Sequence, residues 1–224
     1  MHFEVGSKVI VYNKNGYLFE FEDDTHIYKL NGKVIPSNTE ILKSFNVGNY
    51  NRIPFDTLEH AMLRGKAVHK AIQLYENKTL DPESVHPEVA PYFEQYVAFV
   101  RTEAAGQLIL SETPIFSVNY NFATTLDQVR KRKGEYSIIE IKTGTNSYKF
   151  AKLQTAGQMV ALTEQLTGHI LEADIDVWQL RRYCLELQPN RYKFYGAYTD
   201  DAGDLNEFKS MAYIFNRKRQ RGEL

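Results

Sequence analysis

The densest chemistry in this sequence lies in two short segments, Leu126-Asp127 and Ile138-Ile139-Glu140-Ile141-Lys142-Thr143-Gly144. In an extended strand successive side chains point to opposite faces, so Glu140 and Lys142 share one face while Ile139 and Ile141 share the other. The isoleucines anchor the strand in a core and the acid and the base project together. Asp127 sits near the end of the preceding predicted strand, where a short hairpin brings its carboxylate beside that of Glu140. Two carboxylates this close repel one another, and a divalent cation relieves the repulsion. Mg²⁺ in particular favours a few carboxylates together with water and phosphate oxygens. A lysine at such a site orients or deprotonates an attacking water and stabilises negative charge on a phosphate, which is the equipment of metal-assisted phosphodiester hydrolysis. The competing reading is a salt bridge on a strand surface, worth roughly 0–1 kcal/mol. Acid-x-lysine triplets arise by chance in a chain with 28 acidic residues, so spacing alone does not separate the two.

The elements that must carry these residues follow from periodicity and turn chemistry. Up to about Ile35 the chain alternates as strands do, for example in Ser7-Lys8-Val9-Ile10-Val11-Tyr12. It carries the hairpin signals Asn15-Gly16 and Asn31-Gly32, and Pro36 ends this small β appendage. Ser37-Asn38-Thr39-Glu40 has the capping-box spacing and predicts a short helix. A second helix is predicted from Asp56-Thr57-Leu58-Glu59 to about Glu76, with Leu58, Met62, Gly65, His69 and Ile72 on its buried stripe. A third runs from about Glu88 to Ala104. Three strands come next, Gln107 to Val118, Tyr120 to Val129 and Glu135 to Lys142, with Arg130-Lys131-Arg132-Lys133-Gly134 as the turn between the last two. A helix from Tyr148 to Leu166, stopped by Gly168, is followed by strands near Asp174 to Leu187 and Tyr192 to Tyr198. Asp204-Leu205-Asn206-Glu207 caps a last helix that runs into a basic tail, Arg217 to Arg221. Helix, three strands, helix, strand predicts an α/β fold with a mixed central sheet flanked by helices.

Composition bounds the rest. With 224 residues, 27 basic against 28 acidic side chains and 43% apolar content, one globular domain is expected, large enough to fold without disulfides or a structural metal. A lone cysteine, Cys184, makes no intramolecular disulfide and excludes a four-cysteine zinc or iron–sulfur site within one chain. It fits a reducing compartment such as the cytoplasm. No stretch approaches a membrane span, and Met1-His2-Phe3-Glu4 lacks a signal pattern, so a soluble intracellular protein is expected. A net charge of −1 removes the argument for nucleic-acid binding that a strongly basic chain would supply, while leaving local basic patches open.

Beyond these readings, the chain resembles the PD-(D/E)XK nuclease superfamily, and within it the RecB-type exonucleases of phages and prophages, related to mitochondrial genome-maintenance exonuclease. The resemblance covers most of the sequence. Ile35-Pro36-Ser37-Asn38-Thr39-Glu40-Ile41-Leu42 looks like the family's entry segment, and Arg64-Gly65-Lys66-Ala67-Val68-His69 is similar to its G-x-x-x-H helix. Glu112 precedes the strand pair as an upstream acid does in the family. Phe122-Ala123-Thr124-Thr125-Leu126-Asp127 resembles the AGTxD strand, and Ile139-Glu140-Ile141-Lys142-Thr143-Gly144 the DxKTG strand. Gln154 matches the glutamine of a Q-x-x-x-Y helix. Three residues depart from the pattern: Thr125 replaces a glycine, Glu140 replaces the commoner aspartate, and Gln158 stands where a tyrosine is expected.

The resemblance implies a restriction-endonuclease-like αβββαβ core within a single domain spanning 1–224, with residues 1–35 as a β-hairpin appendage and 57–185 as the nuclease core. It implies a Mg²⁺- or Mn²⁺-dependent DNA exonuclease in phage recombination or repair. His69, Asp127, Glu140 and the carbonyl of Ile141 would be metal ligands, and Lys142 the base or charge stabiliser. Glu112 and Gln154 would complete the catalytic set. DNA free ends would be the substrate, with a recombinase or single-strand-binding protein as partner and homo-oligomerisation open. The alternative is a catalytically silent DNA-binding or assembly module of the same fold. A CRISPR-associated iron–sulfur exonuclease of the superfamily is disfavoured by the single cysteine. Residue by residue, bland alternatives stand beside these roles: a hydrogen-bonded core histidine for His69, a solvated strand residue for Glu112, an ordinary helix residue for Gln154. The Arg130 to Lys133 run is either a solvated hairpin tip or a contact to the DNA backbone.

Overall fold

The computed structural model describes residues 9–23, 25–48, 54–199 and 201–224. The opening residues read above from Met1 to Lys8 lie outside the described part. Strands β1 (Val9–Lys14), β2 (Tyr17–Glu22), β3 (Ile27–Leu30) and β4 (Lys33–Ile35) form an antiparallel four-stranded sheet in sequential order. Its Asn15-Gly16 and Asn31-Gly32 turns both hold two successive residues at positive φ (51° and 79°, then 51° and 72°). This is the backbone that a type I′ hairpin turn requires and that Asn-Gly tolerates at least cost. Helix α1 (Asn38–Ser44) begins with the expected reciprocal cap, in which Ser37 accepts from the Glu40 N–H and the Glu40 carboxylate from the Ser37 N–H.

Helices α2 (Phe55–Glu76) and α3 (Ala90–Val100) precede the long hairpin of β5 (Gln107–Ser117) and β6 (Phe122–Arg132). Then come β7 (Glu135–Lys142), α4 (Tyr148–Thr167), β8 (Leu180–Gln188), β9 (Arg191–Tyr195) and α5 (Asp201–Gln220). The second sheet has the order β5-β6-β7-β8-β9. Only β7 and β8 run parallel, with α4 as their crossover, and all other neighbours are antiparallel. The protein is therefore α/β, with the αβββαβ order expected from the sequence running from α3 to β8. Among the described residues no helix is long and apolar enough to cross a membrane.

Each face of the mixed sheet is buried. Leu126, Val129 and Ile138 pack with α1, α4 and α5, for example against Ile41, Val160 and Phe208. Ile139, Ile141, Leu185 and Leu187 pack with Val68 and Ile72 of α2 and Tyr96 and Phe99 of α3. The N-terminal sheet is more than an appendage: Phe19, Phe21, Tyr28 and Ile35 form a third core with Phe116 and Ala123 of the β5–β6 hairpin.

Several expectations are corrected. The stripe drawn along α2 is buried only in its second half, and Met62 is 52% exposed. Helix α4 is buried on nearly every side from Phe150 to Leu162, so Gln154, Thr155 and Gln158 are buried as well as Leu153, Gly157, Val160 and Ala161. The segment Asp174 to Gln179 is not strand; Asp176 caps a 3₁₀ turn ahead of β8. Asp204 does not cap α5. The helix starts at Asp201 and Asp204 is buried in its first turn, paired with Arg182.

The basic hairpin tip is also redrawn. β6 continues to Arg132, and Arg130 is buried, bonded to Glu76, Tyr96, Gln128 and the Gly106 carbonyl. A guanidinium with this many protein acceptors is committed to the fold. The tip is also five residues along β6 from Asp127, roughly 17 Å at strand rise. Arg130 is therefore unavailable to a nucleic-acid backbone, whereas Arg132 and Lys133 are exposed at the far end of β6.

Candidate metal centre

The site forms where the sheet stops being regular. β6 and β7 pair from Arg132↔Glu135 up to Gln128↔Ile139 and then separate. Past that point the carboxylate of Asp127 takes over from the ladder, its Oδ2 accepting the N–H of Ile141 at 2.7 Å. On the other side of β6, Glu112 lies between the pairs Ser111↔Gln128 and Thr113↔Leu126, opposite Asp127. Its φ of 44° is left-handed, a region that disfavours a side chain with a Cβ. Strain of this kind persists where the surroundings over-determine it, commonly at functional sites.

Helix α2 supplies the third group. Its last turns pack Val68 and Ile72 onto Ile139 and Ile141, which brings the half-buried His69 over the gap between the strands. The ring Nδ1 is 3.3 Å from Glu112 Oε1 and 3.6 Å from Asp127 Oδ1, and Nε2 is 3.2 Å from the Ile141 carbonyl oxygen. A neutral imidazole has one N–H and one lone pair. If Nε2–H donates to Ile141, the Nδ1 lone pair faces two carboxylate oxygens, an arrangement that is repulsive unless a cation intervenes. A second ring proton is one such cation. Burial pulls the His69 pKa down, but the charge of Asp127, the hydrogen bond and charge of Glu112 and the charge of Glu140 outweigh it and raise it to about 10. The Asp127 carboxyl, beside the imidazole, is shifted upward in turn. Burial and then the Glu140 charge raise its pKa to about 8 despite the opposing pull of His69 and Lys142.

One donor atom each from His69, Glu112 and Asp127 lie within 4.8 Å of one another. With the Ile141 carbonyl close by, the donor set is one nitrogen and several oxygens. That suits a hard or borderline divalent cation, and the imidazole favours Mn²⁺ over Mg²⁺. The electrostatic state agrees: a site that lifts the proton affinity of both an acid and a histidine is a site short of positive charge.

Glu140 stands apart from that set. Its Oε1 receives the Lys142 ammonium at 2.7 Å and its Oε2 the Gln158 amide at 2.6 Å. Lys142 also donates to Gln154 Oε1 at 2.8 Å and lies over the Phe150 ring. Among the residues singled out from sequence, then, His69, Glu112, Asp127 and the Ile141 carbonyl converge. Glu140, Lys142 and Gln154 form a second, adjoining group, linked to the first through the charge of Glu140 on Asp127. Sequence reading gave Gln158 no contact and Tyr28 no role at all. The Tyr28 hydroxyl is 2.9 Å from Thr125 Oγ1, two residues before Asp127, so the N-terminal sheet buttresses the strand that carries the site. Neither contact has a local signal, since each joins residues far apart in the chain.

No family model matches this sequence, and no curated protein matches it. Among solved structures the chain is similar to one titled "Crystal structure of SSO0001", with 14% identity, a TM-score of 0.32, and coverage of 69% of this chain and 71% of that one. A likeness of this size says nothing about activity.

Proposed function

We propose that this protein is a divalent-metal-dependent DNA exonuclease that hydrolyses phosphodiester bonds in phage recombination or repair, in a cytoplasm. The observation that carries the hydrolytic reading is the convergence of His69, Glu112, Asp127 and the Ile141 carbonyl beside a lysine. The choice of DNA ends, of a recombination or repair role and of a recombinase or single-strand-binding partner rests on the sequence resemblance. A divalent cation held by those four residues, Mg²⁺ or Mn²⁺, would supply Lewis-acid stabilisation of charge on the scissile phosphate.

The chain's own groups divide the remaining work. Lys142 Nζ, fixed between Glu140 and Gln154, orients the attacking water and stabilises negative charge on the phosphate. Glu140 keeps the ammonium aimed and charged. Asp127, tied to the backbone at Ile141, keeps one oxygen for the ligand side. His69 spans the carboxylates and the Ile141 carbonyl, and so sets the width of the site.

The test is degradation of end-labelled linear and closed circular DNA, single- and double-stranded, with Mg²⁺, with Mn²⁺ and with EDTA. Linear DNA should disappear only with metal, circles should survive, and Lys142→Ala should slow the loss by at least about 10²-fold, the usual scale for removing a group that stabilises transition-state charge. Cleavage by Lys142→Ala at the wild-type rate would sink the assignment. Retained DNA binding with no cleavage in any metal would move the reading to a silent binding module.

A further inference from the structure

Gln158 is the residue at which this chain departs most from the family pattern it resembles, and its surroundings are unusual in their own right. It is fully buried, and its side-chain nitrogen donates to Glu140 Oε2 at 2.6 Å and to the Thr125 carbonyl at 3.2 Å. Both N–H groups are therefore used on acceptors, and rotating the amide by half a turn would set its oxygen against a carboxylate and a carbonyl. The orientation is fixed by chemistry. The oxygen Oε1 that results is buried with no hydrogen-bond partner among the described residues. A buried amide left half-satisfied is a liability to the fold. Leucine or methionine at this fully enclosed position of α4 would fill the space but leave Glu140 Oε2 and the Thr125 carbonyl without a donor, so the amide is kept for what it donates to.

We infer that Gln158 is a positioning residue: its amide clamps Glu140 between α4 and Lys142, so that the carboxylate presents Oε1 to the lysine and fixes the direction of the ammonium. Three features on the page converge on this. Glu140 has a donor on each oxygen, Lys142 on one and Gln158 on the other. The second acceptor of the clamp, Thr125, lies on the strand of Asp127 and is itself fixed by Tyr28. Gln154, one turn earlier on α4, holds the same ammonium from its other side. Helix α4 thus grips the Glu140–Lys142 pair at two points one turn apart. At position 158, where the resembled pattern has a tyrosine, this chain thus places a donor to the carboxylate.

This inference rests on the nuclease reading for its kinetic arm but not for its structural one. The variants are Gln158→Met, which keeps length and removes both donors, and Gln158→Asn, which keeps the amide and shortens its reach. On linear DNA with Mn²⁺, kcat should fall about 10- to 100-fold in both, the effect of a catalytic group misplaced by about an ångström. KM should be unchanged. The thermal midpoint of Gln158→Met should fall by a few degrees, because the buried Glu140 Oε2 loses its donor. Competitive acylation of lysines, followed by mass spectrometry on the metal-free protein, should show Lys142 labelled several-fold faster once Glu140 is released. A residue that only supports the fold would lower the midpoint in the same way but leave kcat and Lys142 labelling unchanged, and that result overturns the inference. If the wild type degrades no DNA, the nuclease reading fails by itself, and Lys142 labelling still decides whether Gln158 holds Glu140.

Discussion

Two buried charge clusters flank α4, and they are built on opposite plans. In the first, Arg182 is completely enclosed, with Nε on Asp201 at 2.6 Å, one terminal nitrogen on Asp204 at 2.7 Å and the other on the Lys152 carbonyl at 2.7 Å. Lys152 Nζ then meets the second oxygen of Asp204 at 2.9 Å, and the Tyr198 ring lies over the guanidinium. Two cations face two anions, and each donor has an acceptor. In the second cluster Glu112, Asp127 and Glu140 face, among the described residues, one permanent cation, Lys142, with His69 able to add another. Both clusters are expensive to desolvate. The first recovers the cost internally and ties β8, α4 and α5 together. The second does not, and leaves a deficit of positive charge that protons fill in the metal-free protein. Burial alone therefore does not distinguish the two; charge imbalance within a buried group of charges does, and it makes the second the candidate site.

Breaking the balanced cluster should have the largest effect on the fold. Arg182→Ala leaves Asp201 and Asp204 without their guanidinium and is expected to lose about 3–5 kcal/mol in urea unfolding. A loss under 1 kcal/mol would mean that the network contributes little.

A smaller effect separates the two plans by pH. The folded pKa of Asp127, about 8, is raised above its ordinary 3.8, so the folded state holds a proton that the unfolded chain has released. The stability this confers is complete below about pH 4 and is lost as pH rises toward 8. His69, raised from 6.5 to about 10, adds stability that is complete below its ordinary pKa and is lost on the way to 10. The melting temperature of the metal-free protein should therefore fall between pH 5 and 9 (about the span of these shifts), and Mn²⁺ should reverse much of the fall. Asp127→Asn should flatten the lower part of the curve. A profile rising with pH in the absence of metal would contradict the charge deficit.

The smallest effect concerns backbone strain. Glu112→Gly relieves the left-handed φ and removes one of the repelling carboxylates, so the metal-free protein should gain about 1 kcal/mol. Mn²⁺ affinity by calorimetry should drop in the same variant. A gain in stability without a loss of metal affinity would place Glu112 outside the centre.

The legible parts of the molecule were those governed by local chemistry. The Asn-Gly turns, the Ser37–Glu40 cap, the alternation in Ile138 to Lys142 and the helical period of α4 each depend on neighbours in sequence. The strand pair that holds Asp127 opposite Glu112 was legible as a hairpin. Its register was not, because an irregularity between Leu108 and Leu110 shifts the pairing by one residue. Arg130 read as a turn residue because arginine is rarely buried; only the coincidence of Glu76, Tyr96 and Gln128, from three separate elements, makes its burial tolerable. Asp204 read as a cap for the same reason, its partner Arg182 being a strand away. At the candidate site the residue types were legible, but the division into a His69–Glu112–Asp127 group and a Glu140–Lys142 group depends on Gln158. Its contact with Glu140 spans 18 residues and leaves no periodic trace.

The bond from Asp127 to the Ile141 N–H also bears on the entropy of binding. A free aspartate turns about two side-chain torsions, and a ligand that captures it must stop both. Here one oxygen already stands in for a missing rung of the β-ladder, so those rotations are arrested when the sheet forms. The conformational loss is charged to folding, and an incoming cation meets a carboxylate that is already still.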